Sequence, residues 1–257
     1  MDPAPLITLT TDLGVKDAYV GVMKGVILGI NPSATIVDLC HEIEPQNIRQ
    51  AAFLLHISCP YFPKDAIHIV VVDPGVGTKR RLLLVISPLG RFLAPDNGAL
   101  SYILGESGFE AFELSNRRYW LSPVSSTFHG RDILAPVAAH LSLGVSPRKL
   151  GKKASGLVSF PIPRPEKAPG SLRGEVLHID TFGNLITNIK EDDLPKGRLR
   201  VEIAGHTIEK LGRTYAVGRG LLALVGSSGY LEIAVKNRSV ARLFKVKIGE
   251  PVRITTS

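Results

Sequence analysis

Residues 67–72 read Ile-His-Ile-Val-Val-Val, a continuous apolar and β-branched run. A strand of that kind has no side to turn to water, so it must lie inside a sheet that is covered on both faces. The neighbouring sequence supplies what such a sheet needs. Residues 6–11 and 34–39 read as strands, and residues 82–87 and 92–94 as further ones. Helical periodicity falls on residues 18–30, with Asp17 as the expected cap, and on residues 46–58, 97–104 and 133–143. Strands separated by helices predict an α/β N-terminal domain built on an open, mostly parallel sheet.

The pattern changes after Pro161, Pro163, Pro165 and Pro169. Proline at that density makes a stiff, extended segment, and residues 161–171 are read as a linker that closes an N-terminal domain of residues 1–160. Beyond it, short alternating segments at residues 175–179, 199–203, 222–225, 230–235 and 252–255 are separated by glycine-rich turns. That pattern predicts a small all-β, barrel-like C-terminal domain over residues 172–257. One oddity remains in the first helix, where Gly21, Gly25 and Gly29 share a face. Each glycine costs a helix about 0.5–1 kcal/mol relative to alanine, so a neighbouring element or another subunit is expected to approach that face closely.

Composition narrows the functional classes. No run approaches the roughly 20 apolar residues that cross a bilayer, and residues 1–5 lack the charged-then-apolar pattern of a signal peptide. The net charge is +8, but the basic residues are scattered in pairs, with no aromatic residues interleaved. This argues against nucleic acid as the partner. Only Cys40 and Cys59 are available as thiols, with no spacing that completes a zinc site. The expectation is a cytoplasmic protein with two reduced cysteines, no bound metal, and no membrane or nucleic-acid partner.

Five polar segments stand at the ends of expected strands, where open α/β sheets place ligands. Asp12, beside Gly14, suits a bidentate grip on a ribose diol, or equally a turn cap. Asp73-Pro74-Gly75-Val76-Gly77 leads to Arg80 seven residues after Asp73, so the loop can fold the guanidinium back on the carboxylate. Its spacing meets neither a phosphate-loop nor a dinucleotide pattern. Asp96 reads as structural, a cap for the following helix. His129, between Phe128 and Gly130, sits ahead of a helix whose dipole disfavours its protonation, with Asp132 as a capping partner. In the second domain Asp180, Phe182, Gly183 and Asn184 crowd one bend, which suits a polar planar ligand or a hairpin turn.

Together TTDLGVKDAYVGVMKG, VVDPGVGTKRR, APDNGAL, STFHGRDILAP, DTFGNLITNI and SSGYLEIAVKN resemble the S-adenosyl-L-methionine hydrolase (adenosine-forming) family, in order along nearly the whole chain. These enzymes are related to the fluorinase and chlorinase. The resemblance implies hydrolysis of S-adenosyl-L-methionine to adenosine and L-methionine without a cofactor. It also implies a homotrimer whose sites form between one subunit's N-terminal domain and a neighbour's C-terminal domain. By the same resemblance Asp73, Arg80 and His129 hold the attacking water, Asp12 grips the ribose, and Phe128 lines the pocket. Asp180, Phe182 and Asn184 meet the substrate from the C-terminal domain. Ser228, Tyr230 and Glu232, alternating along one strand, bind methionine's polar end, and backbone near Asn237 reads the adenine edge.

The halide-using relatives lack the Asp and His of these motifs, so Asp73 and His129 point to water as the nucleophile. A methyltransferase is disfavoured because its glycine-rich loop after the first strand is absent. Two other readings compete: a metal-dependent phosphoesterase using Asp12, Asp73, Asp96 and His129, and a sensor that binds S-adenosylmethionine or adenosine without turnover.

Overall fold

In the computed structural model the apolar run forms the third strand of a seven-stranded sheet, and its residues serve two separate cores. The structure describes residues 6–216 and 220–256, which divide into two units at Pro161 and Ile162. In the first unit the elements are β1 (Leu6–Thr11), α1 (Tyr19–Ile30), β2 (Thr35–Cys40), α2 (Ile48–Ser58), β3 (Ile67–Val71) and β4 (Leu82–Ser87). They continue with β5 (Gly90–Pro95), α3 (Ser101–Leu104), β6 (Glu110–Leu114), α4 (Ala135–Ser142), α5 (Pro147–Leu150) and β7 (Gly151–Lys153).

Ile67, Ile69 and Val71 pack with Met23 and Ile27 of α1 and Ala135 and Val137 of α4. Val70 and Val72 face the other way, towards Ala51 and Leu55 of α2 and Ile103 of α3. Helices therefore cover both faces, which is why this strand carries no polar alternation. Each such Val or Ile contributes about 1.5–3 kcal/mol by its burial.

The strand order is β2-β1-β3-β5-β4-β6-β7. The β1–β2, β1–β3 and β3–β5 pairings are parallel, and β5–β4, β4–β6 and β6–β7 are antiparallel. The sheet is thus mixed, parallel on the half that carries the crossovers. Only Pro88 and Leu89 separate β4 from β5, far short of the dozen or so residues a parallel crossover needs.

Several helix ends differ from the sequence reading. Ala18, not Asp17, is the N-cap of α1 and makes no side-chain cap bond. Helix α2 starts at Ile48, capped by the Asn47 side chain accepting from the Gln50 N–H. Helix α3 is only four residues long, because Asn97 turns the chain by accepting from the Ala99 N–H. The glycine face of α1 meets no neighbour among the described residues. A Cβ at Gly21, Gly25 or Gly29 would have open space around it.

His68, the one polar residue of β3, is fully buried. Its Nδ1 lies 2.8 Å from Thr8 Oγ1, and its ring stacks on Phe92 at 5.0 Å. Burial pushes its pKa down to about 4. The unfolded chain binds this proton near pH 6.5, so the stability held by neutral His68 is complete above 6.5 and is lost as pH falls through 4. Unfolding of the N-terminal unit, followed by the fluorescence of its only tryptophan, Trp120, should lose about 3 kcal/mol more between pH 7 and pH 4 in wild type than in His68→Phe. Equal losses would show that His68 does not titrate with folding.

The second unit contains β8 (Glu166–Ala168), β9 (Ser171–Ile179), β10 (Leu185–Lys190), β11 (Leu199–Ile203), β12 (His206–Ile208), β13 (Leu221–Val225), β14 (Tyr230–Val235), α6 (Val240–Phe244) and β15 (Pro251–Thr256). Its order is β12-β11-β15-β9-β10-β14-β13, antiparallel throughout, with β8 added on β9. The end strands β12 and β13 touch, so the sheet curls into a nearly closed barrel around Val176, Leu185, Val201, Leu231 and Ile254. Residues 166–168, within the stretch read as linker, form strand β8 instead, because the Pro169-Gly170 turn returns the chain directly onto β9.

Candidate active site

The position of the site follows from the strand order. From β1 the chain passes through α1 to β2 on one side, then through α2 back across to β3 on the other. The loops at the carboxyl ends of β1 and β3 diverge there, opening the crevice in which α/β sheets bind ligands. Asp12 follows β1 and Asp73 follows β3, so both carboxylates stand at that crevice. The Asp12 N–H reaches the Val71 carbonyl at 3.4 Å, which ties the two strand ends together.

The loop after β3 folds back on itself through the bonds Val76 N–H to Asp73 O (3.2 Å) and Thr78 N–H to Gly75 O (3.1 Å). Gly77 has φ +80°, and any side chain there would strike the Ser126 carbonyl. Glycine is required twice over at this position, for the left-handed backbone and for the close approach. This fold returns Arg80 to Asp73. Arg80 Nε donates to Asp73 Oδ1 at 2.5 Å, and Nη2 donates to Oδ2. Both side chains are nearly buried, 9% exposed each.

The second approach comes from the segment before α4. His129 is the N-cap of a π-helical turn, Gly130–Leu134, a form often found at functional sites. Gly130 lets this turn sit against Val71 at the end of β3. His129 Nδ1 then lies 2.9 Å from Arg80 Nη2. A guanidinium only donates, so Nδ1 is the acceptor, and the neutral imidazole carries its proton on Nε2. Burial, and next the Arg80 charge, hold the imidazole below its ordinary pKa, against the opposing pull of Asp73 and Asp132. Arg80 Nη1 makes no hydrogen bond to any described residue and leaves two N–H donors free.

Asp12 Oδ2 accepts from the Gln46 N–H at 2.8 Å, and Oδ1 has no partner among the described residues. Phe128 is half-buried and meets Tyr19 of α1 edge-to-face at 5.3 Å. A cavity of about 710 Å³ opens beside Arg80 and His129, lined further by Gly77, Trp120 and Ser126. Its lining takes in Arg80 and His129 but not Asp73, Asp12 or Phe128. Asp96 is structural: it accepts from Arg81 Nε and from the Val158 N–H, and caps no helix. Asp132 accepts from Arg131 and from the Ser125 N–H, which steadies the loop ahead of His129. Among the described residues no three His, Cys, Asp or Glu side chains gather into a metal site.

In the barrel unit Asp180 and Asn184 are joined by two bonds, from Asn184 N (2.8 Å) and Nδ2 (2.9 Å) to the two carboxylate oxygens. Phe182 stands 78% exposed above this turn. Glu232 is buried and accepts from Tyr215 Oη at 2.7 Å. Burial, then the Asp180 charge, raise the Glu232 carboxyl, while the Tyr215 bond opposes them. Glu232 and the Asp180–Asn184 pair therefore share one electrostatic neighbourhood. Tyr230 is on β14 but lies over Lys190, with Nζ 5.7 Å from its ring centre. Ser228 is in the turn before β14 rather than on the strand, so the alternation starts at Tyr230. A pocket of about 510 Å³ is lined by Asn237, Val235 and Phe244. Tyr215 was invisible to sequence reasoning, since it lies in an irregular segment with no motif around it.

The first unit is thus an open α/β sheet with a guanidinium-clasped carboxylate and an imidazole at its switch point, and the second is a β-barrel. Residues 7–151 match the SAM hydroxide adenosyltransferase N-terminal domain, and residues 174–253 match the C-terminal domain of the same family. The chain belongs to the SAM hydroxide adenosyltransferase family. An "(R)-S-adenosyl-L-methionine hydrolase" of Thermus thermophilus is 39% identical over 260 residues, covering 95% of this chain and 97% of its own. One of Salinispora tropica is 37% identical, covering 99% of each chain. A fluorinase of Actinopolyspora mzabensis is more distant, 30% identical with 98% of each chain covered. A solved structure of an uncharacterised conserved protein from Thermotoga maritima superposes with a TM-score of 0.91 at 38% identity, covering 97% of this chain and 99% of that one.

Proposed function

We propose that this protein hydrolyses S-adenosyl-L-methionine to adenosine and L-methionine, with water attacking the ribose C5′. The observation that carries this reading is the joined Asp73–Arg80–His129 cluster with the free Nη1 edge of Arg80. Hydroxide is a far better nucleophile than water, and an oxygen gaining negative charge needs donors already aimed at it. Arg80 Nη1 and His129 Nε2–H supply donors. Asp73 keeps acceptor capacity on both oxygens, so it takes a proton from the water, and the hydroxide, held by these two donors, attacks C5′ with its remaining lone pair. Neutral His129, with Nδ1 engaged by Arg80, acts as a donor rather than as the base. Methionine leaves as a neutral thioether, so no acid is needed on the departing side. The substrate is consumed whole, and the reaction calls for no cofactor.

Asp12 Oδ1, the free carboxylate oxygen, takes the ribose hydroxyls, and Phe128 walls the sugar. Asp180, Phe182, Asn184, Ser228, Tyr230 and Glu232 are assigned to the rest of the substrate, with the pocket at Asn237 for the adenine edge. Tyr215 joins them through Glu232. The L descriptor already defines the α carbon, so the "(R)" in the relatives' names designates the sulfonium sulfur. The same epimer is proposed as the substrate here. No helix among the described residues is long and apolar enough to cross a membrane. A cytoplasmic setting is proposed, in keeping with the unpaired thiols of Cys40 and Cys59.

The decisive experiment is turnover of each sulfonium epimer in oxygen-18 water, in chloride-containing and chloride-free buffer. Adenosine carrying the label, made from the (R) epimer alone and independent of chloride, is expected. A 5′-chloro product would establish the halide reading, and unlabelled adenosine would exclude attack at C5′.

The assembly is proposed as a homotrimer in which one chain's α/β domain and a neighbour's barrel complete each site. The open glycine face of α1, flanked by exposed Tyr19, Val22 and Leu28, supports a subunit contact there. Asp12→Ala and Asn184→Ala chains, each poorly active alone, should regain activity when mixed and exchanged, because some sites then draw intact halves from different chains. Verified exchange with activity still at the parental level would place the whole site within one chain.

A further inference from the structure

The carboxylate proposed to grip the ribose sits on a loop, and loops do not hold a side chain in place without help. Directly before it, Thr11 ends β1 with its side chain completely buried. A buried hydroxyl needs partners. Thr11 Oγ1 lies 2.9 Å from His41 Nδ1 and accepts from the Leu13 N–H at 3.2 Å. His41, 6% exposed, places Nε2 2.9 Å from Asp38 Oδ1, close but off the ideal bonding direction. The other oxygen of Asp38 accepts from Lys24 Nζ of α1 at 2.6 Å.

These contacts have one consistent polarity. Lys24 neutralises Asp38, and Asp38 faces Nε2–H of His41. That tautomer leaves Nδ1 to accept the Thr11 hydroxyl proton, and the hydroxyl's lone pair then receives the Leu13 N–H. The chain of contacts ends on the two residues that flank Asp12. The same histidine holds the loop a second time through its backbone, since its carbonyl accepts from the Gly14 N–H at 2.9 Å. Opposite, Gln46 takes a left-handed φ of +66° and donates its N–H to Asp12 Oδ2. A non-glycine residue in that conformation is strained and persists only where the surroundings demand it. The Lys24–Asp38 pair is half-exposed and contributes little to stability, so its consequence is the direction it imposes on the imidazole.

We propose that Lys24, Asp38, His41 and Thr11 form a polar relay, hydrogen-bonded at its two ends and electrostatic between Asp38 and His41, that holds the Asp12 loop in its ribose-gripping conformation, making His41 and Thr11 positioning residues for substrate recognition. The proposal rests on the reading of Asp12 as the ribose ligand. Removing an orienting partner behind a ligand-contacting group typically costs about 10–100-fold in affinity where it has been measured, at metal sites. The relay predicts a loss of that kind confined to binding.

The test compares Thr11→Val, Thr11→Ser, His41→Ala and Asp12→Asn in the full-length protein. Each is assayed with S-adenosyl-L-methionine and with its analogue lacking both ribose hydroxyls. Thr11→Val and His41→Ala are expected to raise KM about tenfold with kcat within about threefold of wild type, and to shrink the preference for the hydroxylated substrate. Thr11→Ser, which keeps the hydroxyl, should restore both. The relay is overturned if Asp12→Asn abolishes the preference while Thr11→Val and His41→Ala retain it. If Asp12→Asn itself leaves the preference intact, the ribose assignment fails and the relay falls with it. Should His41→Ala fold poorly, the isosteric Thr11→Val and Thr11→Ser pair decides alone.

Discussion

Replacing Asp73 with asparagine is expected to lower kcat by about 10²–10⁴-fold, the scale for removing a positioned base, and replacing His129 with alanine by about 10²–10³-fold, the scale for removing one preorganised donor. KM should stay within about threefold, because neither residue is assigned to the cofactor-like body of the substrate. Two different losses lie behind the common result. Asparagine turns an N–H₂ group towards Arg80 where an oxygen stood, so donor meets donor and the guanidinium must rotate away from the water. Alanine at 129 removes the Nε2–H donor and releases Nη2 of Arg80. The pH profile separates the two. Protonating His129 on Nδ1 would set an N–H against the Arg80 Nη2 donor 2.9 Å away, so the imidazolium is the inactive form. Its pKa lies below the ordinary value. Activity should therefore hold from neutral pH down past about 6.5 and fall only below it. His129→Ala should lose this acid limb and Asp73→Asn should keep it. Stopped-assay kcat values within threefold of wild type for both variants would remove them from the chemistry.

Arg80→Lys should be nearly as damaging, with kcat down on the order of 10²–10³-fold, the scale for losing one preorganised donor to a reacting oxygen. Charge is conserved, but the work divided among Nε, Nη2 and Nη1 is not. One ammonium cannot clasp both oxygens of Asp73, reach His129 Nδ1 and still present two donors to water. The same substitution tests stability separately. Asp73 and Arg80 are each 9% exposed, and leaving one buried partner unpaired costs about 3–5 kcal/mol. Arg80→Ala should accordingly unfold at much lower denaturant than Arg80→Lys, which keeps a cation near the carboxylate. Activity near wild type in Arg80→Lys would mean that positive charge alone suffices.

Much of this molecule is legible in its sequence, and the legible parts are local ones. The run at residues 67–72 demands a doubly covered strand, and β3 shares its side chains between two cores. Gly77 marks the tight turn that brings Arg80 back within seven residues of Asp73, because backbone sterics at a glycine are a property of that stretch alone. The alternating segments after Pro169 become barrel strands for the same reason, since period two is written residue by residue. What the sequence left open depends on groups far apart in the chain. The mixed direction of the sheet turned on a two-residue connection, on the short strand β6 and on the edge strand β7, whose three residues are too few and too polar to announce themselves. Ser228 fell into a turn because the boundary of β14 is set by its pairing with β10 and β13. Sequence alone, with the family resemblance, placed Asp12, Asp73, Arg80 and His129 in one functional list. Only the tertiary structure decided that Arg80 faces His129 across 49 residues, that Nδ1 accepts and leaves the proton on Nε2, and that Thr11 and His41 stand behind Asp12. Backbone preference acts over a few residues, whereas the direction of a proton is decided by which buried donor the packing places opposite it.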